Sequence, residues 1–189
     1  MRVIFVAVLV TVCAASFMSC ENWNESDRTI LTDTLPSDST APTFNTLYSD
    51  KCRLLLKNDS SYFRGFKPGD AKGMVLETGL EKIEESAESI MYAIPLDATE
   101  SADISYTFAK NNVLSAIDVV VYLNSDSSVQ AFKKELISYY SAKPSAAADK
   151  KNQKNVIING TDNIIIEITE EGNSHVKDLH MRIFSLSPL

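Results

Sequence analysis

Residues 101–123 read SADISYTFAKNNVLSAIDVVVYL. Apolar side chains occupy every second position from Ile104 to Phe108, and the same alternation runs from Ile117 to Leu123. A period of two is typical of strands that bury one face. The residues between the two runs include Asn111-Asn112, and asparagine tolerates the left-handed backbone region that a tight turn needs. The stretch therefore predicts an antiparallel β-hairpin.

A helix is predicted after this hairpin. Apolar residues recur there at steps of three and four, which places them along one stripe of a helix. The members of the stripe are Val129, Phe132, Leu136 and Tyr139 or Tyr140. Ser127 or Ser128 can accept hydrogen bonds from the free N–H groups of the first turn, and Pro144 ends the helix.

Three further strands are predicted beyond the helix. Their apolar centres are Val156–Ile158, Ile164–Ile168 and Leu179–Ile183. Gly160 and the segment Glu171-Gly172-Asn173 mark the turns between them. Residues 143–154, which precede these strands, are polar and basic and predict a loop.

A helix and a strand are also predicted before the hairpin. Asp70 follows Pro68-Gly69 and can cap a helix whose apolar residues recur at steps of four and three. These apolar residues are Leu76, Leu80, Ile83, Ala87 and Ile90. Gly79 destabilises a long helix by about 1 kcal/mol. An earlier end of this helix near Thr78, with Gly79 as the C-terminal cap, is therefore the alternative. The apolar segment Ile90–Leu96 predicts a strand.

A helix followed by strands thus occurs twice, in residues of about 62–124 and 125–187. This order predicts an α+β fold in which two tandem helix-plus-antiparallel-strands units form a two-layer domain, with the helices packed on one sheet face. We expect residues 48–189 to form this domain, since chains of about this length bury roughly 68% of their unfolded surface without metals or disulfides. No cofactor is predicted.

Lys67-Pro68-Gly69, with Val75 six positions after the glycine, resembles the helix start of small outer-membrane lipoprotein domains of the BamE/SmpA family. The repeated unit of a helix and strands is also similar to that of the secreted beta-lactamase inhibitor proteins. The resemblance covers about nine positions, Lys67 to Val75. It implies the tandem α+β fold and no functional residue.

Residues 1–19 are predicted to be a signal peptide. Arg2 precedes an uncharged, mostly apolar run of 16 residues from Val3 to Met18. As a helix this run would cover ~24 Å, less than the ~30 Å hydrocarbon core of a bilayer. Acidic and polar residues follow it instead of a basic cluster, which is typical of a signal peptide and not of a membrane span.

The cleavage region Phe17-Met18-Ser19-Cys20 resembles the lipobox of bacterial lipoproteins, in the looser form found in Bacteroidetes-type bacteria. This resemblance implies that Cys20 becomes the first mature residue and carries the lipid that anchors the protein in a membrane. The alternative is an ordinary secretory signal that is cleaved after Ser16 or Ser19. Acidic residues shortly after Cys20 resemble a signal for export to the cell surface. We therefore expect an outer-membrane protein, and whether it faces the periplasm or the surface stays open.

Residues 20–47 are predicted to be a flexible tether. Nineteen of the 26 residues in 21–46 are Ser, Thr, Asp, Asn, Glu or Pro, which leaves little apolar surface to offset chain entropy. Asp33-Thr34-Leu35 and Asp38-Ser39-Thr40 resemble O-glycosylation sites, although such short motifs also arise by chance. After the tether, Cys52 precedes three leucines, which predicts a buried thiol.

Charge is unevenly distributed along the chain. The net charge of −7 disfavours nucleic acid as a partner, because phosphate binding needs a cationic surface. Residues 70–103 hold nine acids and two lysines, a net −7, and residues 133–154 hold six lysines and two acids, a net +4. Such asymmetry can steer a charged partner. Two ordinary exposed surfaces are the simpler explanation.

The sequence does not point to catalysis or to a metal site. His175 and His180 are five residues apart and would not face one metal ion on a strand or on a helix. Two carboxylates could hydrolyse glycosides. The clustered candidates are Glu77, Glu81, Glu84, Glu85 and Glu88. A solvated helix face explains all of them without chemistry.

These observations favour a lipid-anchored cell-envelope lipoprotein that is not an enzyme. Its domain is expected to bind an envelope protein or a glycan through the open sheet face or through the acidic segment 70–103. The first alternative is an inhibitor of an exported enzyme, which exposed aromatic residues on the sheet face would favour. The second is an acid-pair hydrolase, which two buried carboxylates with raised pKa values in a pocket would favour.

Overall fold

The computed structural model describes residues 43–77, 79–144, 146–150, 155–172 and 177–186, with the backbone alone for 148–150. These residues belong to one compact unit, Thr40–Leu189. The predicted signal peptide, Cys20 and most of the predicted tether lie outside the described residues. Residues 43–47, at the end of that predicted tether, include a short helix.

The described chain contains three α-helices, a short 3₁₀ turn and eight strands. The helices are α1 (Phe44–Leu47), α2 (Asp50–Leu56) and α3 (Asp126–Ser141), and the 3₁₀ turn is Lys72–Met74. The strands are β1 (Glu81–Glu85), β2 (Ser89–Pro95), β3 (Ser101–Phe108), β4 (Leu114–Leu123), β5 (Ala147–Lys150), β6 (Asn155–Asn159), β7 (Ile164–Gly172) and β8 (Lys177–Ser185).

The strands form one antiparallel sheet in the order β1-β2-β3-β4-β8-β7-β6-β5. The α+β class is therefore confirmed. The predicted hairpin is β3–β4, in which Ile104 lies opposite Val119. Asn112 occupies its turn with a φ of 59°, the left-handed conformation expected of that residue. Strands β4 and β8 join the two halves of the sheet at its centre.

The helix and strands after the hairpin are confirmed, with two corrections. Helix α3 buries the predicted stripe, and β6, β7 and β8 contain the three predicted apolar centres. Helix α3 is capped by Ser125 and not by the predicted Ser127 or Ser128. The hydroxyl of Ser125 accepts a hydrogen bond from the N–H of Ser128. The region predicted as a loop at 143–154 contains the edge strand β5, because its backbone completes the ladder of β6.

The helix predicted from Asp70 is wrong. The chain makes only the 3₁₀ turn there, and Gly79 has a φ of 86°, which interrupts a right-handed helix. The following glutamates form β1, where all five residues are exposed. Two members of the supposed apolar stripe, Leu76 and Ile83, are 65% and 51% exposed. A charged edge strand resists pairing with other chains, which accounts for this composition.

Helix α2 was not predicted, although its signals are present in the sequence. Ser49 accepts the N–H of Cys52 and so caps the first turn, and Leu55 and Leu56 follow Cys52 at helical spacing. All three residues have no exposed surface, so the predicted burial of Cys52 is confirmed. Burial raises the pKa of its thiol well above the ordinary value, which leaves this cysteine unreactive.

The core lies between the sheet and the helices. Buried residues of α2, α3 and the strands form one cluster, and α3 packs against β4, β6, β7, β8 and α2. The strands alternate buried and partly exposed residues, most regularly in β2 and β3. Helices therefore cover one face of the sheet, and no described element packs on the other.

Gly160 lies against the ring of Tyr62, and we predict that alanine is not tolerated there. A methyl group at Gly160 would lie 2.7 Å from the hydroxyl oxygen of Tyr62, which donates a 3.1 Å hydrogen bond to the carbonyl oxygen of Thr161. Gly160→Ala should lower the free energy of unfolding by about 1–3 kcal/mol, as overpacking does. Urea denaturation followed by circular dichroism measures this change.

Gly73→Ala is the matched control for this prediction. A methyl group at Gly73 would meet no atom within 4 Å. Its free energy of unfolding should stay within about 0.5 kcal/mol of the parent value, as is usual at surface positions. Equal effects at Gly73 and Gly160 would show that the contact with Tyr62 is not tight.

Candidate functional site

The side of the sheet that no described helix covers, here called the open face, is a candidate binding surface. Side chains directly opposite one another in neighbouring strands lie on the same face. The pairings place acids, an arginine, a histidine and an aromatic ring together at the centre of the open face. These residues are Asp103, Asp118, Tyr122, Glu167, Glu171, Asp178, His180 and Arg182.

Arg182 lies at the centre of the open face between two acids. Its neighbour on β4 is Asp118, and its neighbour on β7 is Glu167. Arg182 Nε is 3.2 Å from Asp118 Oδ1, and the guanidinium group stands 5.4 Å from the centroid of the Phe184 ring. The side chain of Arg182 is still 57% exposed, so its remaining donors can reach a partner.

Asp118, Arg182 and Glu167 form one polar row across the strands, and two further rows, through His180 and through Asp178, lie beside it. Contacts connect these two further rows, since His180 Nε2 is 3.6 Å from Glu171 Oε2 and the hydroxyl of Tyr122 donates a 3.1 Å hydrogen bond to Asp103. Together with Asp118, Glu167 and Arg182, residues His180 and Glu171 line a shallow concavity of about 180 Å³. This volume is below the range of 300–1,000 Å³ that is typical of small-molecule pockets, which favours contact with a larger surface.

The electrostatics of the open face are acidic. Five carboxylates surround one arginine and one histidine among the residues named above. Burial on the sheet raises the pKa of Asp118, and the nearby charges of Arg182 and His180 partly oppose this rise. A cationic partner would complement this surface.

The described buried carboxylates do not form a hydrolytic pair. Glu77 Oε1 is 2.7 Å from Arg64 Nε, and Glu100 Oε2 is 2.5 Å from Lys51 Nζ. Each carboxylate is thus held by a cation, and neither lines a described cavity. This arrangement gives the hydrolase alternative no support.

The other candidate acids and the histidine that the structure describes do not form one cluster. Glu81, Glu84 and Glu85 lie on β1 and Glu88 in the following turn, all exposed, whereas Glu77 is buried away from solvent. His180 is on β8, and His175 lies outside the described residues. Within the described ranges, no group of three or more His, Cys, Asp or Glu residues could hold a metal ion.

Comparisons with protein-family models, with curated proteins and with solved structures find no match for this chain. Of the helices in the described ranges, none has the length and apolar character that crossing a bilayer requires.

The polar row through Arg182 was not predicted from the sequence. Asp118 and Arg182 are far apart along the chain and meet only because β4 pairs with β8. The sequence does carry one signal, since each of the two residues interrupts an apolar strand at an outward position. The partner of each residue depends on strand order, which alternation within one strand does not specify.

Proposed function

We propose that this protein is a lipid-anchored cell-envelope lipoprotein whose domain is a non-catalytic interaction module. The observation that carries the proposal is the open face, which holds an exposed arginine among acids and whose described concavity, at about 180 Å³, is shallow. Arginine and tyrosine are the residue types that most often dominate the energy of protein interfaces. Arg182 is therefore the expected anchor of the contact, and the aromatic ring at position 122 is expected to lie within it.

The proposed partner is a protein that presents basic side chains. The acids of the open face would attract such a surface and orient it during encounter, and salt would weaken the attraction. The acidic segment 70–103 is the competing contact surface. It includes β1 at the sheet edge, where charge and full exposure suit solubility better than docking.

We further propose that the domain consists of two tandem units. The strand order supports this, since β1–β4 and β5–β8 each run as neighbours and meet at β4 and β8. The units are unequal, because α2 and a long connection precede the first four strands, and α3 directly precedes the second four. The similarity to BamE/SmpA-like and beta-lactamase-inhibitor-protein-like modules that we propose rests on this repeated order of helix and strands. The motif Lys67–Val75 does not support it, because the chain makes only a 3₁₀ turn there.

An inhibitor of an exported enzyme is the second candidate. Tyr122, which is 37% exposed, and the partly exposed Phe184 place aromatic groups on the open face. The same surface would then contact an enzyme, so the identity of the partner separates the two candidates. The many acids favour the first candidate over a mainly apolar inhibitory contact.

Site-specific photo-crosslinking in cells tests the contact surface. A photoreactive phenylalanine in place of Tyr122 should yield a discrete adduct, and the same group at the exposed Lys134 on α3 should not. Adding Arg182→Ala and Glu171→Ala should reduce the adduct at least tenfold, the size expected when an interface anchor is lost. Circular dichroism confirms that the variants are folded.

The matched control reverses charge in the acidic segment instead. Glu84→Lys with Glu88→Lys changes two exposed acids near the sheet edge and should leave the Tyr122 adduct unchanged. If this control abolishes the adduct while Arg182→Ala with Glu171→Ala does not, the acidic segment is the contact surface and the open-face proposal is wrong. The proposal is also contradicted if the photoreactive group at position 122 forms no adduct in the protein that carries no further substitution.

A further inference from the structure

A second concave site lies at the end of the sheet, where three distant parts of the chain meet. It has a volume of about 370 Å³, within the range of small-molecule pockets. This cleft is lined by the loop after α2, the end of α3 and the β6–β7 turn. The lining residues that matter for binding include Asp59, Ser61, Tyr62, Lys67, Lys143 and Asp162. The cleft shares none of its lining residues with the concavity of the open face.

One wall of the cleft is held rigidly. The hydroxyl of Tyr62 is 2.7 Å from Thr161 Oγ1, and its ring packs against Gly160, as described above. Asp162 and Asn163 both have a φ of 58°, and Ile164 donates its N–H to the carbonyl of Thr161 across the turn. Two successive left-handed residues form a tight hairpin turn of fixed shape, so the wall is preorganised.

The opposite wall is built around Lys143. Its ammonium group donates to the carbonyl oxygens of Asp59 and Ser61, at 3.1 and 3.0 Å, and to Asp59 Oδ1 at 2.7 Å. Its three donors are thereby used. Lys143 therefore fixes the loop and leaves the carboxylate of Asp59, in a side chain that is 64% exposed, as an acceptor toward the cleft.

Other polar groups of the cleft remain available for a ligand. Lys67 Nζ is 3.9 Å from Asp162 Oδ2, too far for a hydrogen bond, and these side chains are 48% and 73% exposed. No hydrogen bond from the Ser61 hydroxyl to another described residue is found. The cleft thus offers an ammonium donor, a hydroxyl and two carboxylate acceptors within one small volume.

The charges of these residues decide which ligand chemistry fits. Two aspartates and two lysines give the lining a net charge of zero. The two carboxylates would repel a phosphate, and the two lysines would repel a polyamine, so neither ligand fits well. A neutral molecule with many hydroxyl groups can donate to the aspartates and accept from Lys67 and Ser61, while Tyr62 and Pro144 offer apolar surface to its C–H groups. We propose that this cleft binds a neutral saccharide.

Ligand-observed NMR and calorimetry on the full chain test this site. The chain is kept in a detergent without a sugar headgroup and titrated with D-glucose, D-galactose, D-mannose, N-acetyl-D-glucosamine and maltose. At least one of these sugars should bind with millimolar or tighter affinity. Lys67→Ala and Asp162→Ala should each weaken that binding about tenfold, the effect of losing a hydrogen bond to a charged group.

The controls separate this site from the open face and from nonspecific binding. Lys110→Ala removes an exposed lysine from the β3–β4 turn and should leave the affinity unchanged, as should Arg182→Ala on the open face. The proposal is overturned if none of the five sugars binds, or if Lys67→Ala and Asp162→Ala leave the affinity unaltered. Binding of inorganic phosphate or putrescine without binding of any sugar overturns it as well. The result does not depend on the photo-crosslinking outcome, since the two sites share no lining residue.

Discussion

Replacing Glu77 with alanine will lower the free energy of unfolding by about 3–5 kcal/mol, the usual cost of leaving a buried charge without its partner. The carboxylate of Glu77 has no exposed side-chain surface, and Arg64 beside it is 5% exposed. Oxygen Oε1 accepts from Arg64 Nε at 2.7 Å and from the hydroxyl of Tyr106 at 2.8 Å. Without Glu77, both of these buried donors lose their acceptor.

The loss of stability would extend beyond the ion pair, because Arg64 also caps the C-terminal end of helix α2. Its guanidinium group donates to the carbonyl oxygens of Leu54 and Leu55, at 2.6 and 3.0 Å. These carbonyls lie in the last turn, where a helix leaves acceptors unpaired and favours a positive charge. Glu77 thus connects the guanidinium group of Arg64, which is bonded to α2, to the hydroxyl of Tyr106 on β3.

Chemical denaturation with urea, read by far-ultraviolet circular dichroism, measures this effect. Glu81→Ala, at an exposed position of β1, is the control and should change the free energy of unfolding by no more than about 0.5 kcal/mol. Adding Arg64→Met to Glu77→Ala should restore part of the loss, since the unpaired charge is then gone. A Glu77→Ala variant as stable as Glu81→Ala would contradict the network.

The strongest periodic segments were predictable from the sequence. The alternation in β3 and β4 and the stripe of α3 each specify both a secondary structure and a buried face, so the pattern within one element sufficed. The segment after Asp70 was not predictable in this way. Its glutamates favour helix by intrinsic propensity, yet pairing with β2 determines the structure of β1.

The residues that fix the tertiary structure were harder to predict than the elements. The sequence predicts Glu77 as one acid of a solvated helix face, whereas in the core it bonds Arg64, thirteen residues away, and Tyr106, twenty-nine residues away. The cleft likewise needs Tyr62 and Thr161, ninety-nine residues apart. Such contacts depend on strand order and loop paths, which local composition does not encode.

A second large effect is expected at the predicted lipid attachment site, in the part of the chain outside the described residues. Cys20→Ser should move the protein from the membrane pellet to the aqueous fraction, with at least a tenfold change in the ratio between the two. A lipoprotein cysteine carries several acyl chains, and each buried CH₂ contributes about 0.8 kcal/mol to membrane binding. Serine in place of Cys20 removes the thiol to which this anchor is attached.

Cys13→Ser is the matched control, because Cys13 lies within the predicted signal peptide and should leave with it. That variant should fractionate with membranes like the parent, and the intact mass of the mature parent should equal residues 20–189 plus a thioether-linked diacylglyceryl group and its N-terminal acylation. Globomycin, which blocks processing at a lipobox, should cause the precursor to accumulate. If the parent protein is already aqueous, or if its mature mass corresponds to cleavage after Ser16 or Ser19 without added lipid, the secretory alternative is correct. In that case the open face would act as a diffusible module, because only the acyl chains at Cys20 would confine it to the membrane surface.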